Sequence, residues 1–105
     1  MSSAAATDYC SAETFAPSCP DGEVILALNA SYGRMELGRC VDVDLGYLGC
    51  SADVLHIVDK FCSGRRSCEM TVPHSEMNRA SQCHNQLTQY LSAEYTCVKG
   101  TSHSN

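Results

Sequence analysis

The apolar positions of this chain fall into short, differently spaced groups. From Glu23 to Leu28 the run is almost wholly apolar. Val24, Leu26 and Leu28 share one face and Ile25 and Ala27 the other, the pattern of a strand buried on both sides. Cys19-Pro20-Asp21-Gly22 ahead of it reads as a tight turn. Asn29 to Arg34 follows, where Gly33 permits a bend that a residue with a Cβ would resist. Residues 41–49 carry Asp42, Asp44, Gly46 and Gly49 and read as a loop. Ser51 to Phe61 reads as the principal helix: Val54, Leu55, Ile57, Val58 and Phe61 form one broad apolar stripe. Ser51 is its expected N-cap, with Asp53 in the first turn and Lys60 near the end. Ser67 to Val72 reads as a strand stopped by Pro73, and the polar stretch 73–88 as a long loop. From Tyr90 to Val98, Leu91, Ala93, Tyr95 and Cys97 alternate with Tyr90, Ser92, Glu94 and Thr96, which predicts a half-buried strand. Residues 1–9 are expected to be a disordered segment, 10–98 the domain, and 99–105 a flexible tail.

Composition narrows the function. The 105 residues suffice for one domain, and a charged content of 18% against 44% hydrophobic residues is not that of a disordered tail. No apolar run approaches the ~18 residues of a membrane span, so no membrane insertion is expected. The net charge is −5, and Arg65 and Arg66 are the only adjacent basic residues. That balance argues against nucleic acid and acidic lipid as partners.

The cysteines set the compartment. Eight of them, an even number, spread over the chain, as in a small domain stapled by disulfides outside the reducing cytosol. Zinc would need pairs such as C-x₂₋₄-C. The closest pair is Cys62 and Cys68, and His56, His74, His84 and His103 are scattered; no metal and no cofactor are expected. No enzyme is expected either, because nucleophilic catalysis needs a free Cys or an activated Ser and no G-x-S-x-G occurs. The segment Met1 to Asp8 has neither the charged nor the apolar region of a signal peptide. The chain is therefore expected to be an excised or mature fragment of a larger secretory-pathway or extracellular protein.

Three short motifs carry candidate chemistry. Asn29-Ala30-Ser31 is an N-glycosylation sequon. Tyr32-Gly33-Arg34 sets an aromatic ring and hydroxyl beside a bend. A sugar can stack on such a ring, and the guanidinium can donate several hydrogen bonds or pair with a carboxylate. Cys62-Ser-Gly-Arg-Arg-Ser-Cys68 reads as a small loop that presents Arg65 and Arg66 outward, either as a solvated turn or as a contact for an acidic partner.

The whole pattern resembles the galactose/rhamnose-binding lectin domain of the sea-urchin-egg-lectin type. The resemblance spans residues 10–97. It rests on the order of the eight cysteines, Cys19-Pro-Asp-Gly-Glu23, Tyr32-Gly33-Arg34, the helix between Cys50 and Cys62, the Cys62–Cys68 loop, and Tyr90-Leu-Ser-Ala-Glu-Tyr-Thr-Cys97. It implies an α+β fold, with antiparallel strands around one principal helix and long ordered loops. It also implies the pairing Cys10–Cys40, Cys19–Cys97, Cys50–Cys83 and Cys62–Cys68, which sequence alone does not select among the possible connectivities.

The function implied is metal-free binding of galactose- or rhamnose-type sugars. The family's site uses a Glu just after the first Cys, the Tyr of the Tyr-Gly-Arg motif, an Asp-Pro-Cys segment and a following Lys. Tyr32 matches. Ser11 stands at the Glu position, with Glu13 two residues on; Ser81-Gln82-Cys83 replaces Asp-Pro-Cys; Gln89 stands at the Lys position. The loop between Cys68 and Cys83 is also longer than usual. Tyr32, Arg34, Glu13, Asn78, Asn85 and Gln89 are the candidate sugar-binding residues of an eroded site, with the 78–85 loop closing the pocket and a glycan at Asn29 crowding it. The alternative is a lectin-like protein-interaction module, part of an adhesion receptor or appended to a glycosidase, whose partner is an extracellular protein.

Overall fold

A computed structural model describes residues 6–84 and 86–101. The elements follow in the order β1 (Thr7–Tyr9), β2 (Thr14–Phe15), β3 (Glu23–Gly33), β4 (Ser51–Asp53), α1 (Leu55–Cys62), β5 (Met70–Thr71), α2 (Ser75–Ala80) and β6 (Tyr90–Lys99). An antiparallel sheet runs in the order β1-β6-β3-β4, and β2 pairs with β5 in a second small sheet. The domain is thus α+β and disulfide-rich. Among the described residues no helix is long and apolar enough to cross a membrane.

The long pair β3–β6 positions everything else. The Cys19–Gly22 turn forms as expected: the Glu23 amide donates to the Pro20 carbonyl at 3.1 Å, and Gly22 takes φ +84°. β3 then runs past Leu28 to Gly33 because a bulge corrects its faces. The register shifts between Ala27 and Asn29, leaving Leu28 as the extra residue. The Ala27 amide at the bulge donates to Ser63 Oγ at 3.0 Å. One inserted residue inverts the alternation of a strand. Ile25 and Ala27 face the core before the bulge, and Ala30 and Tyr32 face it after. The expectation of a strand buried on both faces fails at Leu26, which is 41% exposed on the outer side.

Helix α1 covers the inner face of β3 with Val54, Ile57, Val58 and Cys62, all buried. It starts four residues later than the sequence predicts. Ser51 to Asp53 are not its first turn but strand β4, paired Ser31 to Asp53, Tyr32 to Ala52 and Gly33 to Ser51. Tertiary pairing overrides local helix preference here. Ser51 is therefore not the N-cap; Asp53, ahead of the helix rather than in its first turn, accepts from the Leu55 amide on Oδ1 at 2.9 Å.

Three further expectations are corrected. Residues 7–9 are not disordered: they form the edge strand on β6, fixed by Tyr9 edge-on to Phe15 at 5.0 Å between centroids. At the other end, β6 extends to Lys99, and the Gly100 amide donates to the Gly22 carbonyl at 3.1 Å. The polar stretch 73–88 is not all loop, since α2 spans six of its residues. His74 caps α2 by accepting the Glu76 amide on Nδ1, Met77 anchors it in the core, and Lys60 pairs with Glu76 at 2.7 Å.

Four disulfides join Cys10 to Cys40, Cys19 to Cys97, Cys50 to Cys83 and Cys62 to Cys68. This is the pairing the family resemblance implies. The Cys19–Cys97 bridge has a sequence separation of 78 residues, and closing a loop of that length restricts the unfolded chain by about 4.5 kcal/mol in the chain-entropy account.

Candidate functional site

The site builds outward from Tyr32. The bulge turns its ring inward, where 2% of the residue remains exposed. A ring buried to that extent offers no face for a sugar to stack on. Its hydroxyl instead donates to Oδ1 of Asn78 at 2.8 Å. Burial also raises the Tyr32 pKa above its usual value, so the hydroxyl keeps its proton as a donor. The role left to Tyr32 is to hold the Asn78 amide.

Asn78 stands in the last turn of α2 and lines a pocket of about 360 Å³ with Arg79, Ser81, Cys83 and Gln89. The C-terminal end of α2 delivers Asn78 and Arg79, and the segment ahead of β6 delivers Gln89. The Cys50–Cys83 disulfide ties the pocket to the residue just ahead of β4. Ser81 Oγ accepts from the Cys83 amide at 3.1 Å and donates to Oε1 of Gln89. The structure therefore brings Tyr32, Asn78 and Gln89 together. Arg79 and Ser81 join them and are absent from the sequence candidates. Their signal was the helix itself: once 75–80 is helical, its end projects residues 78 and 79 beside the Ser81-Gln82-Cys83 segment.

Arg34 and Glu13 do other work. Arg34 is 2% exposed, and its guanidinium donates to the carbonyls of Thr88 at 2.8 Å, Val43 at 2.6 Å and Asp44 at 3.3 Å, while its Nε has no partner. It orders the loop through backbone oxygens rather than through an acidic neighbour. A separate pocket of about 330 Å³ lies beside it, between the 40–45 and 86–88 segments. Glu13 accepts from the Cys10 amide at 2.8 Å and pairs with Arg39 at 2.6 Å, and Arg39 also donates to the Asp8 carbonyl. Its carboxylate is committed to the N-terminal segment and does not line the pocket at Asn78. Asn85 lies outside the described residues.

The Glu13–Arg39 pair carries a pH signature. Arg39 and the Cys10 amide hold the Glu13 carboxyl below the usual carboxylate range. A depressed folded pKa contributes stability above the unfolded value and loses it as pH falls through the folded value. Glu13→Gln is therefore expected to lower the melting temperature slightly at pH 7, and the difference from wild type should close below the ordinary carboxylate range. A difference that persists at pH 2–3 would assign the effect to something other than ionisation.

The sequon side chain occupies the opposite side of the sheet. Asn29 pairs with Glu94 across the strands and donates to its Oε1 at 3.3 Å, whereas Tyr32 faces the core opposite Leu91. Residues directly opposite in an antiparallel pair share a face. A glycan on Asn29 would leave the pocket clear, contrary to the crowding expected from sequence.

Comparison with known families decides the lineage. A family model described as the D-galactoside/L-rhamnose binding SUEL lectin domain matches residues 17–97. The chain belongs to this family. No curated protein matches the chain in a sequence comparison. The SUEL lectin domain is a carbohydrate-binding family. Among the described residues of this SUEL domain, no group of three or more His, Cys, Asp and Glu side chains could hold a metal ion.

Proposed function

We propose that the chain is an extracellular, non-enzymatic module that binds a galactose- or rhamnose-type sugar in the pocket of Asn78, Arg79, Ser81, Cys83 and Gln89. The observation that carries this reading is the Tyr32–Asn78 hydrogen bond, which links the family's Tyr-Gly-Arg motif to that pocket. In this mechanism Tyr32 orients the Asn78 amide, Asn78 and Gln89 hydrogen-bond the sugar hydroxyls, and Arg34 holds the backbone at Thr88 next to Gln89. Binding needs no metal, and a chelator leaves it unchanged. The contact set is weaker than the family's, because Ser11 and Gln89 stand where charged groups are expected; each charged hydrogen bond replaced lowers affinity by about 1 kcal/mol or more.

An NMR titration with L-rhamnose and D-galactose at tens of millimolar tests this. The amides of Asn78, Arg79, Ser81 and Gln89 are expected to shift together. Shifts confined to another surface, or none with either sugar, would refute the assignment. Tyr32→Phe is the matching variant: it should cost about 1 kcal/mol of stability and weaken sugar binding about 2- to 10-fold, the worth of one neutral hydrogen bond. Tyr32→Ala is unsuitable, because emptying a buried aromatic position costs about 3–5 kcal/mol.

A second reading has one observation in its favour. Leu37, Val43, Leu45 and Tyr47 are each more than half exposed on the loop between β3 and β4. Apolar exposure on one loop suits contact with another extracellular protein, as in a module of a larger receptor or glycosidase.

A further inference from the structure

We infer that the pocket at Asn78 selects an anionic sugar, a uronate whose carboxylate pairs with Arg79; this rests on the reading that the pocket takes a sugar at all. The case begins with which atoms of the pocket are already used. Asn78 Oδ1 accepts from Tyr32, Gln89 Oε1 accepts from Ser81, and Ser81 Oγ accepts from the Cys83 amide. Each side-chain oxygen of the lining is thus engaged with the protein. The donors are not: among the described residues, the amide nitrogens of Asn78 and Gln89 have no partner. Arg79 is exposed and forms neither a salt bridge nor a side-chain hydrogen bond among them. Glu76, on the same helix, is held by Lys60 at 2.7 Å, and Arg79 acts on it through space without a salt-bridge contact.

The lining residues therefore combine free donors with one cation and no carboxylate. A hydroxyl both gives and accepts, and its proton finds only side-chain oxygens that already accept one bond each. A carboxylate only accepts, and it matches the guanidinium in a two-point, charge-assisted contact. The cation stands out further in a chain of net charge −5. D-galactose and D-galacturonate differ only in the group at C6, so a pair of their methyl glycosides isolates the effect of the charge.

The experiment titrates the whole chain with both glycosides, and with sodium acetate, at low salt and at 0.5 M NaCl. The uronate is expected to bind about 5-fold more tightly than the galactoside at low salt, with the preference shrinking at high salt as the charges are screened. Arg79→Gln should bring the ratio near one, and Arg79→Lys should keep part of it. Equal affinities in the wild type, or a preference untouched by Arg79→Gln, overturns the inference while leaving the sugar site standing. Acetate shifting the same amides to the same extent overturns it as well, because the anion alone would then suffice. Binding of neither glycoside overturns the inference, and the L-rhamnose titration then decides whether the sugar site itself stands.

Discussion

Replacing Arg34 with methionine is expected to lower the stability of the domain by about 2–4 kcal/mol and to release the loop between β3 and β4. Two effects oppose each other. Burying a cation without a carboxylate partner is costly, and methionine relieves that cost together with the orphaned Nε. Against this, the guanidinium is the link between Thr88 and the carbonyls of Val43 and Asp44. Each carbonyl left unsatisfied where water cannot reach costs about 1–3 kcal/mol. Val43 and Asp44 are exposed and can turn to water, but only if the loop moves. The loop's other ties to the domain lie outside residues 41–46: Glu36 to the Tyr90 hydroxyl, Arg39 to Glu13 and the Asp8 carbonyl, Gly49 to the Arg34 carbonyl, and the disulfides at Cys40 and Cys50. Loss of the anchor therefore wins over relief of the charge. Lysine should not rescue, because one ammonium lacks the planar fork that reaches both segments. Chemical denaturation and amide exchange check this: an unchanged midpoint, with exchange at residues 41–46 unaltered, would show that the guanidinium is incidental.

The same residue shows what the sequence conveyed about the site. Tyr32-Gly33-Arg34 was legible as a unit, and the guanidinium does donate several hydrogen bonds, though to backbone carbonyls. Its backbone partners were not legible, since carbonyls carry no sequence signal. Glu13 misleads for a related reason. Its proximity to the family's Glu position is one of chain order, but the side chain is drawn away by Arg39, 26 residues later. Arg79 was missed because α2 has a single fully buried residue, Met77. A helix of that length leaves no periodic stripe to read.

The fold was more legible than the site, and its errors share one cause. The inner face of β6, with Leu91 and Ala93 in the core and Tyr95 and Cys97 against it, and the stripe of α1 both survive in the structure, although Tyr90 and Thr96 on the other face of β6 are buried as well. The failures fall where pairing with a distant segment decides the outcome. Thr7–Tyr9 becomes a strand only because the edge of β6 is there to receive it, and Ser51–Asp53 only because β3 is. The bulge at Leu28 belongs to the same class. Without it Tyr32 would point to the outer face with Asn29's neighbours, and no hydroxyl would reach Asn78. Nothing in Leu28 itself announces the extra residue.

Gly33→Ala is expected to have the largest effect of any single methyl addition here, about 3 kcal/mol or more. A Cβ on Gly33 would sit 2.3 Å from the Cys50 carbonyl oxygen and 2.8 Å from the Ser51 Cα. Both are backbone atoms, so no side chain can swing aside. Relief requires β4 to move away from β3, which breaks the Gly33–Ser51 pairing and the 2.9 Å bond from the Arg34 amide to the Cys50 carbonyl. The displacement then travels through the Cys50–Cys83 disulfide to the wall of the pocket. Gly33→Ala should accordingly weaken sugar binding as well as stability, although residue 33 touches no sugar. Gly38→Ala is the control: its Cβ would meet nothing within 4 Å, and its midpoint should stay within about 0.5 kcal/mol of wild type. If the two alanines prove equally mild, β3 and β4 do not approach as closely as described. If Gly33→Ala unfolds readily but leaves the amides of Ser81 and Cys83 unshifted below its transition, the disulfide does not couple the sheet to the pocket.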